Sequence, residues 1–251
     1  MYLMSLLLSS MIYSTVSFNK NLLKVRNLRQ FSSKMNEIIP KTNQQIKYDE
    51  FLNNPQIKLI VGNGPAGTGK TLIACKNAIK QYQLNKVDKI VITRPIITVD
   101  EDIGFLPGDI NDKMNPWTLP IFDVFREYFD STEIKYMVTE NKIEIVPLGF
   151  MRGRTFKNSF IIADEMQNSS PTQMLMLLTR IGENSKMAIT GDLNQSDIKS
   201  VNGFHDLIVK LNKQYEDDYY KMIKDKMAIV NFKNGDIMRS DIVSKILEIY
   251  K

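Results

Sequence analysis

Gly64-Pro65-Ala66-Gly67-Thr68-Gly69-Lys70-Thr71 fills every position of the pattern glycine, four variable residues, glycine, lysine, serine or threonine. Glycines in such a loop let backbone N–H groups turn inward toward a β-phosphate. Lys70 is suited to bridge the β and γ oxygens, and the Thr71 hydroxyl is suited to Mg²⁺. Ile57-Lys58-Leu59-Ile60-Val61 before the loop is a short apolar run with strand character, and Leu72 to Ile79 after it repeats apolar residues at helical spacing. Strand, glycine loop and helix N-terminus in that order make an anion site, because the helix dipole and the free N–H groups both favour phosphate.

Working outward, further strands are predicted at Lys89–Thr93, Ile143–Val146, Phe160–Ala163, Met187–Thr190 and Ala228–Phe232. Most are short Ile- and Val-rich runs with little alternation, the pattern of strands buried on both faces of a parallel sheet. Helical spacing over Pro171 to Arg180, Gly203 to Leu211 and Asp241 to Tyr250 falls after the later strands, and a short helical lead-in spans Asn36 to Asn54. This alternation calls for a three-layer α/β domain with a mainly parallel sheet. Thr98 to Pro120 breaks the alternation: Gly104, Pro107, Gly108, Pro116 and Pro120 punctuate it, so an irregular excursion is expected there instead of a crossover helix.

A chain of 251 residues accommodates one such domain and an extension. The single cysteine, Cys75, excludes an intramolecular disulfide and lies on the apolar side of the helix after the loop, where burial is expected. Net charge is +5, but residues 1–36 hold Lys20, Lys24, Arg26, Arg29 and Lys34 and no acid. Residues 37–251 are therefore formally neutral, and only a local patch would mark a nucleic-acid partner there. The apolar start, Met1 to Val16, is too short to span a bilayer, so no stable membrane insertion is expected. With the basic, serine-containing stretch that follows, it has the composition of a leader for a plastid or mitochondrion. The alternative is a disordered extension of a cytoplasmic protein. Either way residues 1–36 stand apart from a domain over residues 37–251.

Phe160-Ile161-Ile162-Ala163-Asp164-Glu165 is an apolar strand ending in two acids. Asp164 is placed to hold the Mg²⁺ shell and Glu165 to orient or deprotonate water, a pairing that favours ATP hydrolysis over transfer to a bound substrate. The competing reading is a strand followed by an ordinary helix N-cap. Ile189-Thr190-Gly191-Asp192-Leu193-Asn194-Gln195 runs from a strand into a polar turn on the same sheet edge, where Gln195 or Asp192 is placed to sense a γ-phosphate. Arg94, after the second strand, is placed to meet phosphate or nucleic acid, or to stay solvated. No His and Cys set points to a structural metal, and His205 has no partner at useful spacing.

These blocks, together with Gly104-Phe105-Leu106-Pro107-Gly108-Asp109, Met151-Arg152-Gly153-Arg154-Thr155, Gln167-Asn168 and Leu178-Thr179-Arg180-Ile181-Gly182, resemble the PhoH family of ATPases, named for phosphate-starvation induction. The resemblance runs in order from about Pro40 to Tyr250. It implies a RecA-like core, similar to the first core domain of superfamily 1 helicases, that binds and hydrolyses ATP with Mg²⁺, has links to RNA metabolism and assembles into rings. It also implies an adenine-reading glutamine within Gln45-Ile46-Lys47-Tyr48, with Gln44 alongside as the other register. The sequence departs from the family pattern at Met166, Asn194 and Ser240-Asp241, whereas Arg239 is kept.

A helicase-type site needs an arginine against the charge developing on the phosphoryl group, and a single core does not supply one from a second domain. A neighbouring subunit of a homo-oligomer is the expected source, with Arg239 first and Arg180, Arg154 and Arg152 behind it; each has a structural ion-pair role as its alternative. Lys70, Glu165, Arg239 and Gln195 are thus the expected catalytic set, with Thr71 and Asp164 at the metal. Aromatic residues near the excursion (Phe105, Trp117, Phe122, Phe125, Tyr128, Phe129) suggest stacking on single-stranded bases, although helical spacing from Ile121 to Phe129 assigns most to the core. Three function classes remain: an ATPase coupled to single-stranded RNA, an ATP-dependent switch acting on a protein partner, and a small-molecule kinase, the last disfavoured by Glu165 and by the absence of a lid segment.

Overall fold

The order of the sheet decides which side chains can meet. The computed structural model describes residues 39–95, 115–196, 202–216, 218–238 and 249. Among them six strands form one sheet: β1 (Leu59–Asn63), β2 (Lys89–Thr93), β3 (Ile143–Ile145), β4 (Ser159–Ala163), β5 (Lys186–Gly191) and β6 (Met227–Asn231). Their order is β3-β2-β4-β5-β1-β6, and every pairing is parallel. All carboxyl ends therefore lie on one edge, and β5 separates β1, which leads into the glycine loop, from β4, which leads into Asp164.

The pleat sorts the apolar runs into two layers. Leu59, Val61, Val91, Ile161, Ala163, Met187 and Ile189 form one face, packed against Met174 and Leu177 of α5 (Pro171–Leu178) and Phe204, Leu207 and Leu211 of α6 (Gly203–Tyr215). The alternate residues Ile60, Ile90, Ile92, Phe160, Ile162 and Ala188 are fully buried on the other face. There α2 (Lys70–Gln83) packs across β2, β4 and β5, with α1 (Asn43–Asn53) and α3 (Asn115–Arg126) against it. Helices cover both faces, giving the expected three-layer, RecA-like α/β architecture. Cys75 is buried among the apolar residues of α2, and burial pushes its thiol pKa up.

Strand β1 ends two residues later than its apolar run, at Gly62 and Asn63, because the neighbours β5 and β6 pair with both positions. A side chain at 62 would crowd its neighbour: a Cβ there would lie 3.1 Å from the ring of buried Tyr48 on α1, which would have to shift. The expected irregular excursion needs correction at its end, since α3 begins at Asn115 and contains Pro120. Pro120 is the sixth residue of the helix, past its first turn, so the backbone bond to residue 116 is given up and the helix continues around it. Helix α4 (Ser131–Thr139) was not expected, although Asp130 and Glu133 form a reciprocal capping box that is visible in the sequence; α7 (Tyr219–Lys224) was also missed. The predicted helix over Asp241 to Tyr250 lies outside the described residues apart from position 249.

At the opposite edge Lys186 is buried, with its ammonium donating to the carbonyls of Leu52 (2.6 Å), Asn54 (2.7 Å) and Phe51 (3.4 Å). It closes the C-terminus of α1, where unpaired carbonyls and the helix dipole favour a cation. Burial, with Lys58 and Lys86 nearby, pulls its pKa below the ordinary lysine value, and the three carbonyls oppose that pull. Lys186→Met should lower stability by about 1–3 kcal/mol by stranding these acceptors; a urea midpoint equal to that of the parent would rule out the capping role.

Candidate active site

The glycine loop turns sharply off β1 because its glycines take conformations that other residues resist. Gly67 and Gly69 have φ of 82° and 83°, and at Gly64, with φ of 146°, a Cβ would lie 2.6 Å from the Phe232 carbonyl oxygen. The loop is also held from outside, since the Met238 N–H donates to the Gly67 carbonyl at 2.9 Å. Lys70 opens α2 and folds back over the loop, donating to the carbonyls of Gly64 (2.6 Å) and Pro65 (2.8 Å). Burial lowers its pKa, while Asp192, Glu165 and Asp164 pull it back up. Lys70 thus places a cation beside the loop, on bonds that an incoming phosphate can exchange for its own.

Asp164, buried at the carboxyl end of β4, accepts at Oδ1 from the Thr71 hydroxyl (2.7 Å) and from the Thr190 hydroxyl of β5 (2.6 Å). This cluster of oxygens suits a hard cation that keeps waters and takes phosphate as a further ligand. Among the described residues there is no group of three or more His, Cys, Asp or Glu side chains that could hold a metal, and the cation that the Thr71, Thr190 and Asp164 oxygens fit is Mg²⁺. Thr71 and Asp164 would hold it. Glu165 follows in the left-handed conformation, φ 53° and ψ 40°. It lines, with Lys70, Thr71, Asp164, Asp192 and Gln195, a cleft of about 240 Å³. Pockets that enclose whole ligands run to roughly 300–1,000 Å³, so this one suits a phosphate chain with its nucleoside projecting outward.

The other expected residues divide clearly. Gln45 is buried and donates from Nε2 to the Thr68 carbonyl at 3.1 Å, accepting at Oε1 from Lys41 N–H, whereas Gln44 is only partly buried. Gln195 is exposed at the mouth of the cleft. Arg154 pairs with Glu144 at 2.6 Å and stacks on Phe156, and Arg180 donates to the Arg154 carbonyl at 3.0 Å. Arg152 is exposed, and Arg239 lies outside the described residues.

The PhoH-like protein family model matches residues 37–251. The chain belongs to the PhoH family. Similar family members are a PhoH-like protein of Synechocystis, 35% identical over 84% of this chain and 61% of that protein, and one of Bacillus subtilis, 38% identical over 76% and 58%. Protein PhoH of Escherichia coli is 36% identical over 85% and 58%. The chain thus spans about three fifths of the length of these curated relatives. Among solved structures, the UvsW helicase of bacteriophage T4 aligns with a TM-score of 0.43 and 16% identity, over 78% of this chain and 61% of that one. The Sulfolobus solfataricus SWI2/SNF2 ATPase core aligns with 0.44 and 10%, over 80% and 46%. Both scores are below 0.5, and the fold assignment rests on the strand order.

Gln167 takes a position within the site that sequence reading did not assign to it. Its side chain is 2% exposed; Nε2 donates to Glu165 and to the Gln195 carbonyl (3.4 Å), and Oε1 accepts from the Asp192 N–H (3.1 Å). These partners fix the amide orientation, since a flip would set oxygen against a carboxylate and a carbonyl. The signal that could have found it is the residue two places after Glu165, within a motif quoted only as a block. Gln167→Ala should release the Glu165 side chain and strand the Asp192 N–H, lowering stability by about 1–3 kcal/mol. A urea midpoint equal to that of the parent would show that Gln167 does not hold these partners.

Proposed function

We propose that this member of the PhoH family binds Mg·ATP in the cleft, hydrolyses it, and couples turnover to single-stranded RNA. The observation that supports hydrolysis most directly is the convergence of the Thr71 and Thr190 hydroxyls on one Asp164 oxygen beside Lys70, with Glu165 at the same cleft. Loop N–H groups and the start of α2 bind the phosphate chain, and Lys70 moves from its loop carbonyls to the β and γ oxygens. Mg²⁺, when bound, supplies charge neutralisation at those oxygens. Glu165, held by Gln167, takes a proton from the attacking water as general base. Gln195, at the mouth, senses the γ-phosphate, and Gln45 ties the adenine side of the site to the loop through Thr68.

The arginine that completes the site comes, in this reading, from a neighbouring subunit of a ring. Arg154 and Arg180 are tied into their own chain, which favours Arg239. Residues 1–36 precede the family match and act as an organelle-targeting leader; a diffuse cytosolic signal from a reporter fusion would reject that. Among the described residues no helix is long and apolar enough to cross a membrane.

Glu165→Gln should slow ATP turnover by about 10²–10⁴-fold and Lys70→Ala by about 10²–10³-fold; a Glu165→Gln protein turning over at the parent rate would remove Glu165 from its role. Mixing Lys70→Ala with Arg239→Ala subunits should restore part of the activity, and no recovery would argue against the trans arginine. Single-stranded RNA should stimulate turnover, less so as salt rises; without stimulation, the protein-partner switch becomes the better reading.

A further inference from the structure

The domain is formally neutral, but its arginines are not evenly spread. Of the five among the described residues (Arg94, Arg126, Arg152, Arg154 and Arg180), four sit on segments that hydrogen bonds join into one flank. Leu148 N–H donates to the Arg94 carbonyl (3.3 Å), Arg154 N–H to the Met151 carbonyl (3.2 Å), and the Arg180 guanidinium to the Arg154 carbonyl. The 3-10 turn Leu148–Met151 at the carboxyl end of this flank is anchored by buried Leu148 and Met151, yet it presents Phe150 with 63% of its surface exposed. Exposing a phenylalanine on a firmly anchored turn forgoes burial that the core would otherwise gain.

The neighbours of Phe150 leave room around it. A Cβ at Gly149 or at Gly153, with φ of 79°, would meet nothing within 4 Å. Arg152 between them is exposed and has no hydrogen-bond or ion-pair partner among the described residues. Glu144 is already shared by Lys89 (2.8 Å) and Arg154 (2.6 Å); burial pushes its pKa up, and those partners outweigh burial and hold it below the usual carboxylate value. Leu175 is 65% exposed on α5, the helix that packs against the turn.

We propose that this flank is the ledge on which a single nucleic-acid strand lies, with a base stacked on Phe150 and phosphates met by Arg152 and Arg94. The assignment rests on the RNA-coupled reading above and locates its contact surface. One exposed ring two residues from the unpaired guanidinium of Arg152, with open glycines through which a backbone can approach, matches what a strand offers: a planar face and a phosphate at each step. A duplex buries its base faces in the stack and offers Phe150 nothing to stack on. A second copy of the chain would find an uncompensated cation, with Glu144 already occupied.

The test is fluorescence anisotropy of the full chain with labelled 12-nucleotide U and dT oligomers and a 12-base-pair duplex, at two salt concentrations. Phe150→Ala should weaken single-strand binding at least about fivefold, Phe150→Trp should retain it, and Arg152→Ala should reduce the salt slope by roughly one phosphate contact. All three variants should melt with the parent. U and dT oligomers bound alike support a ledge that reads stacking and phosphate, and preference for U supports one that also reads the 2′-hydroxyl. If the parent binds single strands and both alanine variants bind them equally well, the ledge is refuted while the RNA reading stands. If the parent binds no strand, the RNA reading falls and takes the ledge with it. If the variants change sedimentation mass and leave strand binding intact, the flank is a subunit contact and the proposal is overturned.

Discussion

A single carboxylate oxygen, Oδ1 of Asp164, receives hydroxyls from two elements that are distant in sequence, and the rest of the site is arranged around that meeting. Thr71 arrives on the first turn of α2, Thr190 near the end of β5, and Asp164 at the end of β4. The meeting requires β5 between β1 and β4, in the register that pairs Gly62 with Thr190 and Ala163 with Ile189. Thr190 shares its face with Ala188, opposite Ile189, so a one-residue slip of β5 would turn the hydroxyl to the far side of the sheet. Sheet register and site geometry are therefore one constraint.

The same dependence explains what was legible from the chain alone. The phosphate loop, its flanking strand and helix, and the acids after Phe160–Ala163 are local patterns, and each element is present where its pattern falls, with the strand shifted by two residues. Strand existence was equally legible, because Ile- and Val-rich runs need two covered faces. Strand order and the partner of Lys186 are tertiary facts, carried by no local spacing. The helix over Pro120 was misread for a local reason: a proline inside a helix ordinarily argues for a break, and here the helix continues around it with one backbone bond given up. Gln167 was passed over because its role comes from three partners on two segments, Glu165 on one and Asp192 and Gln195 on the other.

Arginine shows most clearly where sequence reading stops and structure takes over. In the chain, Arg152, Arg154 and Arg180 are equivalent candidates for any role that needs a cation. Hydrogen-bond accounting separates them: Arg154 is committed to Glu144 and the Phe156 ring, and Arg180 to carbonyls of Met176 and Arg154. A guanidinium already bonded inside its own chain must break those bonds before it serves a ligand. One that stands free incurs no such cost, so recognition falls to the unpaired members while the paired ones stiffen the surface beneath them. Net charge, which is zero over residues 37–251, does not register this division, because it counts both kinds alike.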